Sequence, residues 1–333
     1  NYQSARILTE IDEKYKEFPG LNVSAQVVEG VLKHTKLKPT EIALEDFLSK
    51  EYREIIHISN DKLQVCSSLE GQVVAIADEI AQRGHDVDDA LTSGVMTIEE
   101  FKDRLRIDKC RELFVRIDKE ISEIEALERL IPDKKELIIS RIVTVIVNYF
   151  IQKTIEHSMI LVDANAGLNR LSFDNNITMV GFPPEVKRVN DYLEKVVQKK
   201  VICNYEVARA DYNASMIVQE LFAKYYKNPR LLHSGTVHNI FLETLNHPNR
   251  ELSNSAIYLS DASIELVNQE IEEITSEKLN EPLILQYLEN KDYTRDERDI
   301  VIFEKRRILI RAITDYIAGM TDGYALEEYD KLK

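Results

Sequence analysis

Three polar residues in the stretch "SLEGQVVAIADEIAQRGHDVDDAL", residues 68–91, have types and a spacing that could serve a binding or metal site. Asp78, Gln82 and Asp86 are four residues apart, so on an α-helix they share one face, with a drift of roughly 80° over two turns. The apolar stripe beside them consists of Val73, Ala77 and Ile80. A carboxylate next to a core face is unfavourable unless it is paired, hydrogen-bonded or bound to a metal ion, which makes Asp78 a candidate ligand.

Two other interpretations of this stretch compete with a metal ligand at Asp78. His85 and Asp86 have the same two residue types, in the same order, as the metal-binding His-Asp dyad of an HD-type phosphohydrolase. Judged on spacing alone, Asp78 is explained as well by an ion pair with a basic side chain. One carboxylate does not make a metal site, which needs several convergent ligands.

A second polar pair lies in the apolar run "SRIVTVIVNYF", residues 140–150. Arg141 and Tyr149 are eight residues apart and also share a helix face. An arginine within such a run suits a phosphate or carboxylate partner, because its planar guanidinium donates two parallel hydrogen bonds. The alternative is a structural salt bridge without a role in binding.

Composition favours a helical, soluble protein that keeps its thiols reduced. The 333 residues include only 10 Gly and 8 Pro, and the net charge of -15 argues against non-specific nucleic-acid binding. Three cysteines without metal-ligand spacing fit a cytoplasmic protein. The most apolar run, residues 141–151, is too short to span a bilayer and is interpreted as a buried helix.

Apolar residues recur at three- and four-residue intervals along most of the chain and predict an all-α fold. The best strand candidate is "SFDNNITMVGF", residues 172–182. The motif "GFPP" at residues 181–184 divides a core, residues 1–180, from a C-terminal helical region, residues 181–333. Helices are predicted at residues 133–162, 184–203, 206–226, 235–246, 260–278 and 294–320.

Several segments, in order along the chain, resemble the deoxynucleoside triphosphate triphosphohydrolases, the dGTPase family of HD-domain enzymes. They are "NYQSARIL" at residues 1–8, "GLNVSAQVVEGVLKH" at 20–34, the 68–91 stretch, residues 204–232 and "DYIAGMTDGYAL" at 315–326. The resemblance implies an all-α HD core with a C-terminal helical extension. It also implies hydrolysis of a dNTP to a deoxynucleoside and inorganic triphosphate.

The resemblance assigns a role to each of the polar residues. Asp78 matches the last metal ligand of the family, so His85–Asp86 is not the signature dyad. Asp86 is expected at the deoxyribose 3′-hydroxyl, Arg141 at the phosphates and Tyr149 near the sugar or base. Gln82 stands where the family usually has a Tyr that lies against the sugar, and Gly323 stands where Arg is common.

The resemblance also implies residues that this chain does not contain. The first His, the His-Asp dyad and the catalytic His and Glu are expected upstream of "NYQSARIL". We therefore expect no catalytic residue in this chain, a truncated N-terminus and no activity without the upstream segment. The alternatives are a non-catalytic nucleotide sensor or scaffold and a phosphohydrolase that acts on monophosphates.

The expected ligands follow from the same family. They are a dNTP, with dGTP as the expected substrate, and a divalent metal such as Mg or Mn. A homo-oligomer is expected, without membrane attachment and with nucleic acid an unlikely partner.

Overall fold

A computed structural model describes residues 1–12, 14–18, 20–35, 48–56, 65–127, 133–165, 177–245 and 297–333. All regular structure in these ranges is helical, which confirms the all-α prediction. The helices are α1 (Tyr2–Arg6), α2 (Ala25–Lys33), α3 (Lys50–Ile55), α4 (Leu69–Thr92), α5 (Ile98–Leu105), α6 (Arg111–Glu125), α7 (Lys134–Ala164), α8 (Pro184–Ile202), α9 (Tyr205–Lys227), α10 (Ser234–Leu245), α11 (Glu297–Ala318) and α12 (Asp322–Lys331). A π-helical turn, Ile7–Ile11, and two short 3₁₀ turns, Asp108–Cys110 and Pro229–Leu231, complete the set.

The predicted helices from residue 133 onward are confirmed wherever the structure describes them, with ends that differ by at most three residues. The predicted helix at 260–278 lies outside the described residues. The strand prediction is wrong over its described part, because residues 177–182 are irregular. These residues satisfy backbone groups through a side chain of α4 rather than through a neighbouring strand.

The chain divides into two compact units, residues 1–204 and 205–333. By packing, α8 belongs to the first unit, since Val189 and Leu193 lie in its core. A division at "GFPP" between a catalytic core and an extension remains a prediction.

Helices α4, α6, α7 and α8 build the main core of the first unit. Val87 of α4, Ile117 of α6 and Ile146 of α7 are each at most 1% exposed. Helix α4 approaches α7 closely at Gly84, where an added Cβ would lie 3.0 Å from Cγ2 of Val147. The packing therefore fixes which face of α4 is left for other contacts.

Helix α7 contains the apolar run that the sequence suggested was too short to span a membrane. The whole helix has 31 residues, and by length and composition it could cross a membrane. In the structure its residues Ile142, Ile146 and Phe150 are at most 1% exposed in the core with α4 and α6. This confirms the interpretation of the run as part of a buried helix.

A smaller core joins α1, α2 and α3 in the same unit, and α2 also packs on α4. Its buried residues are Ala5, Val28, Leu32, Leu48 and Ile56. The end of α2 is thereby held beside α4.

The second unit packs α9 against α11 and α12, and α10 against α11. Leu221, Tyr225 and Ile313 are fully buried there. The hydroxyl of Tyr225 donates to Oε2 of Glu328 at 3.1 Å, and burial raises the pKa of this tyrosine. The described C-terminal residues thus form a helical unit with its own core.

Candidate functional site

A cavity of about 460 Å³ lies in the first unit against the face of α4 that carries Asp78 and Gln82. Its wall also includes residues 33–35 at the end of α2, Cys66, residues 178–182 and part of α8. The volume is typical of a small-molecule site. Its charged side chains are balanced in sign: Lys33, Arg83 and Lys187 against Asp78, Glu79 and Glu194.

The start of α4 is fixed by a local cap and by a close contact. The Ser68 hydroxyl accepts a hydrogen bond from the backbone N–H of Gly71 at 3.1 Å, which satisfies one of the unpaired amides of the first turn. A Cβ on Gly71 would lie 2.2 Å from Sγ of Cys66, so only glycine fits there. The helix therefore begins in one defined position beside Cys66.

Gln72 attaches the irregular wall of the cavity to α4. Its amide nitrogen donates to the carbonyls of Cys66 and Ile177, each at 2.9 Å. Its amide oxygen accepts from the backbone N–H groups of Met179 at 2.8 Å and Val180 at 3.0 Å. Four otherwise unpaired backbone groups are satisfied by one side chain that is 4% exposed, which explains how a wall without secondary structure stays ordered.

A buried carboxylate holds the opposite wall. Glu29 is fully buried and accepts from Nζ of Lys33 at 2.6 Å and from Oγ of Ser67 at 2.5 Å. Burial raises the pKa of the neighbouring Cys66 thiol, so this thiol is protonated at neutral pH. The cluster fixes Lys33 at the cavity but leaves its ammonium neutralised by Glu29.

Two adjacent carboxylates of α4 have opposite environments. Glu79 accepts from Nζ of Lys187 at 2.9 Å and from Nδ2 of Asn190 at 2.7 Å, both on α8. Asp78 is exposed at the cavity and has no hydrogen-bond or ion-pair partner among the described residues. The predicted apolar stripe beside Asp78 is wrong at two of its three residues, because Val73 is 50% exposed and Ala77 is exposed as well, whereas Ile80 is buried in the main core. The ion-pair alternative for Asp78 is not observed either, which leaves the carboxylate available to a ligand.

Asp86 lies one turn beyond Gln82 and is partly buried. Its Oδ2 accepts from Nη1 of Arg83 at 2.8 Å. Burial raises the pKa of Asp86 above its usual range, and the nearby guanidinium of Arg83 opposes that shift. Gln82 itself is exposed and contributes to the cavity wall, whereas Asp86 lies outside that wall.

The structure places Arg141 and Tyr149 away from the cavity wall. Nε and Nη2 of Arg141 donate to Oε2 of Glu120 on α6, at 3.0 Å and 2.8 Å, so the structural salt bridge is present. Tyr149 is 4% exposed in the main core, and burial raises its pKa to about 12. The side chains of Arg116 and Lys153 lie over its ring. A role for either residue in substrate binding remains a prediction.

The cavity residues that sequence reasoning missed include His34, Phe182 and Lys187. Nδ1 of His34 lies 2.7 Å from the carbonyl oxygen of Val31, and since a carbonyl only accepts, Nδ1 carries a proton. The neutral ring then has its lone pair on Nε2. No local signal marks these residues, because each reaches the cavity through long-range packing rather than through a motif.

The described residues contain no group of three His, Cys, Asp or Glu side chains placed to hold a metal ion. Asp78 fits a divalent cation as one ligand, since its carboxylate is exposed at the cavity and is not paired with any residue that the structure describes. A complete site needs further donors. HD phosphohydrolases generally use divalent metals, and this part of the chain offers one carboxylate toward such a site.

Comparison with known proteins places these features in one family. Residues 180–250 and 273–331 match the phosphohydrolase-associated domain. A deoxyguanosinetriphosphate triphosphohydrolase-like protein of Bordetella pertussis is 27% identical over 100% of this chain and 64% of its own length. Proteins of the same name from Thiobacillus denitrificans and Geobacter sulfurreducens are 29% and 30% identical over 70% of this chain.

The chain spans between 54% and 64% of the length of these three relatives. The identity extends through both helical units, and the ordered sequence motifs lie within it. The all-α structure agrees with such a relationship. The chain therefore belongs to the dGTPase-like family of HD-domain proteins.

Proposed function

We propose that this chain is the nucleotide-binding part of a dNTP triphosphohydrolase that converts a dNTP, with dGTP as the first candidate, to deoxynucleoside and inorganic triphosphate. The observation that carries the proposal is the carboxylate of Asp78, which lies at a cavity of about 460 Å³ and has no partner among the described residues. Its neighbour Glu79 is paired, so the helix supplies one carboxylate for packing and one for a ligand. Asp78 also occupies the family position of the last metal ligand.

The cavity offers groups for both ends of a nucleotide. Lys187 lies at the wall of the cavity. Burial lowers the pKa of its ammonium, but its contacts with Asp191 and Glu79 raise that pKa, and the net pKa is above the ordinary value. It is therefore a cation at neutral pH, and a phosphate oxygen would compete with Glu79 and Asp191 for its Nζ. Gln82 can donate and accept hydrogen bonds at the sugar, with Asp86 one turn further along the same helix.

A divalent metal, when bound, would polarise the α-phosphate and lower the pKa of a coordinated water. Asp78 is the residue of this chain that would contact it. The remaining expected ligands and the catalytic His and Glu belong to the family segment that precedes "NYQSARIL". Arg141 could reach phosphates only by leaving Glu120, and Tyr149 could reach a sugar only by leaving the core.

A non-catalytic nucleotide sensor is the second candidate. It is favoured by one observation, that the described residues offer a single free carboxylate at the cavity and no complete set of metal donors. A monophosphate nucleotidase is less favoured, because "DYIAGMTDGYAL" at residues 315–326 resembles the C-terminal signature of the dNTP triphosphohydrolases.

We also propose a cytoplasmic homo-oligomer, as the family resemblance implies. Three apolar residues of α7 at four-residue intervals, Ile151, Ile155 and Met159, are 42%, 54% and 63% exposed. A helix face of this kind is a candidate subunit contact. Sedimentation velocity of the purified chain would reveal whether it is a monomer.

Phosphorus NMR of reaction mixtures tests the triphosphohydrolase proposal directly. The chain, alone and together with any residues that its gene encodes before Asn1, is incubated with dGTP and Mn²⁺. We expect inorganic triphosphate as the product, and roughly a 100-fold slower release after Asp78→Ala. Asp89→Ala, an exposed aspartate on the same helix, is the matched control and is expected to retain the rate.

The two candidate functions give different results in this experiment. Triphosphate release that requires Asp78 supports the enzyme. Binding of dGTP without release of triphosphate from any dNTP supports the sensor. Release of orthophosphate alone from a dNMP would replace both with the nucleotidase.

A further inference from the structure

The lysine and arginine side chains in the described wall of the cavity differ in how far a ligand can reach them. The side chains of Lys33 and Arg83 are 1% and 3% exposed, whereas that of Lys187 is 34% exposed. Lys187 extends from the first turn of α8 to Glu79 on α4. A ligand in the cavity can therefore contact Lys187 more readily than the other two cations.

Lys187 is shared between two carboxylates. Its Nζ donates to Oε1 of Glu79 at 2.9 Å and to Oδ1 of Asp191, one turn further along α8. An ammonium has three N–H groups, so one donor has no partner among the residues that the structure describes. A phosphate oxygen could accept from this third donor, but it would then lie beside two negative charges.

Glu79 keeps its position independently of Lys187. The same Oε1 accepts from Nδ2 of Asn190 at 2.7 Å, and Asn190 is fully buried. Oδ1 of Asn190 in turn accepts from Nε of Arg83 at 3.0 Å. A phosphate that draws the Lys187 ammonium toward itself thus leaves Glu79 in place, and the carboxylate continues to compete for the cation.

The other cations of the wall offer an anion no compensation. Lys33 is bound to one carboxylate at 2.6 Å, and Arg83 lies within 3.3 Å of two. Asp78 adds a carboxylate that has no partner among the described residues. A polyphosphate therefore meets no lysine or arginine of the described wall that lacks a carboxylate partner, and the excess negative charge repels it. A divalent cation on the phosphate oxygens reduces this repulsion, because it offsets their charge.

We propose that Glu79 and Asp191 act as a charge filter at the cavity: they compete with phosphate oxygens for Lys187 and so oppose a polyphosphate whose charge no divalent cation offsets. Lys187 is the phosphate contact of this wall, and its two acidic partners select the metal-bound form of the ligand over the free anion. This inference rests on the proposed function and extends it to the form in which the phosphate chain binds.

Calorimetric titrations with inorganic triphosphate, once with Mg²⁺ and once with EDTA, test the proposal. The wild-type chain is expected to bind triphosphate at least about tenfold more tightly with Mg²⁺. Asp191→Asn is the most informative variant, since the Asp191 side chain is 44% exposed and its contact is with Lys187 on the same helix. It should tighten binding in EDTA by about tenfold, the size of one hydrogen bond between charged groups, and by less than about threefold with Mg²⁺.

Three further variants separate competition for Lys187 from a general change of charge. Glu79→Gln, on the other helix, should also tighten binding in EDTA. Lys187→Gln should weaken binding with Mg²⁺ by about tenfold, and adding Asp191→Asn to it should recover less than about threefold, because the contested cation is gone. Glu185→Gln removes one exposed negative charge from the first turn of α8 and is the matched control, expected to change either affinity by less than about twofold.

The direction of the change with Asp191→Asn decides the outcome. Tighter binding of metal-free triphosphate, beyond the effect of Glu185→Gln, supports the filter. Unchanged or weaker binding overturns it, because the carboxylates then hold Lys187 in position for the ligand instead of competing with it.

A parallel titration with dGTP and Mg²⁺ separates this inference from the proposed function. A wild-type chain that binds dGTP but shows no Mg²⁺ dependence for triphosphate overturns the inference alone. A wild-type chain that binds neither dGTP nor triphosphate, with or without Mg²⁺, overturns the proposed function and the inference together.

Discussion

Helices α4 and α7 each carry a pair of polar residues eight positions apart. The α4 pair is Asp78 and Asp86, the α7 pair is Arg141 and Tyr149, and the two pairs have different surroundings in the structure. Asp78 of the α4 pair is exposed at a cavity and has no partner within the described ranges of the chain. In the α7 pair, Arg141 is bound to Glu120 and Tyr149 is 4% exposed in the core. Equal spacing therefore produced an open site on one helix and a packed surface on the other.

The difference shows what helical spacing determines and what it leaves to packing. Spacing places two side chains on one face of a helix. Which element covers that face depends on neighbours that are distant in sequence. Helix α6 supplies Glu120 to α7, whereas α4 turns its polar face toward the cavity formed with the end of α2 and residues 178–182.

The largest expected effect of a single change is in the core, at Tyr149. Tyr149→Ala should lower the free energy of unfolding by roughly 3–5 kcal/mol, because it removes a buried aromatic ring. Gln82→Ala, at an exposed position of the other helix, should change it by less than about 0.5 kcal/mol. Urea unfolding followed by circular dichroism measures both. If Tyr149→Ala kept its stability and lost dGTP binding, the resemblance-based role of Tyr149 would replace the structural one.

A smaller effect separates the two adjacent carboxylates of α4. Glu79→Gln should destabilise the protein by about 1 kcal/mol, because it weakens contacts with Lys187 and Asn190. Asp78→Asn breaks no contact within the described residues and should leave stability unchanged while it weakens Mn²⁺-dependent dGTP binding. Thermal unfolding and titration calorimetry on the same two variants are sufficient. Equal losses of stability would show that Asp78 has a packing role after all.

The Arg141–Glu120 pair should contribute less still. The side chains are 43% and 28% exposed, so solvent screens their attraction. A double-mutant cycle of Arg141→Ala and Glu120→Ala is expected to give a coupling energy of about 0.2–1 kcal/mol. A dGTP affinity that falls with Arg141→Ala but not with Glu120→Ala would instead support the predicted phosphate contact.

The sequence was sufficient for the helices because their signals are local. The 3.6-residue periodicity that predicted a helix at 184–203 needs no knowledge of its neighbours, and the structure has Pro184–Ile202. Asp78 was singled out by spacing and by a family motif on its own helix. Both kinds of information lie within a few turns of the residue concerned.

The remaining features of the site depend on contacts between residues far apart in sequence. Gln72 hydrogen-bonds Met179, 107 residues later, and Arg83 hydrogen-bonds Asn190 across the same separation. The local sequence that made residues 172–182 the best strand candidate could not reveal that a glutamine side chain satisfies backbone groups of residues 177–180. Pairings of this kind are decided by how the helices pack.

The smallest expected effect is a pH dependence that distinguishes Asp86 from Asp78 on the same helix. Burial raises the pKa of Asp86, with Glu194 and Asp89 acting in the same direction and with Arg83 and His85 opposing. The folded protein therefore binds this proton more tightly than the unfolded chain, whose aspartates titrate near pH ~4. It follows that the contribution of Asp86 to stability falls as the pH rises from about 4 through its raised pKa.

Asp86→Asn removes the titrating group and should therefore remove this decline, so that the variant gains stability relative to the wild type as the pH rises through that window. Urea unfolding at closely spaced pH values measures the difference, and Asp163→Asn, at an exposed position of α7, is the matched control. A difference between wild type and Asp86→Asn that changes in the opposite direction would mean that the attraction of Arg83 outweighs burial. The carboxylate of Asp86 would then be held by Arg83 as an ion pair, in the same way as Glu120 is held by Arg141 of α7.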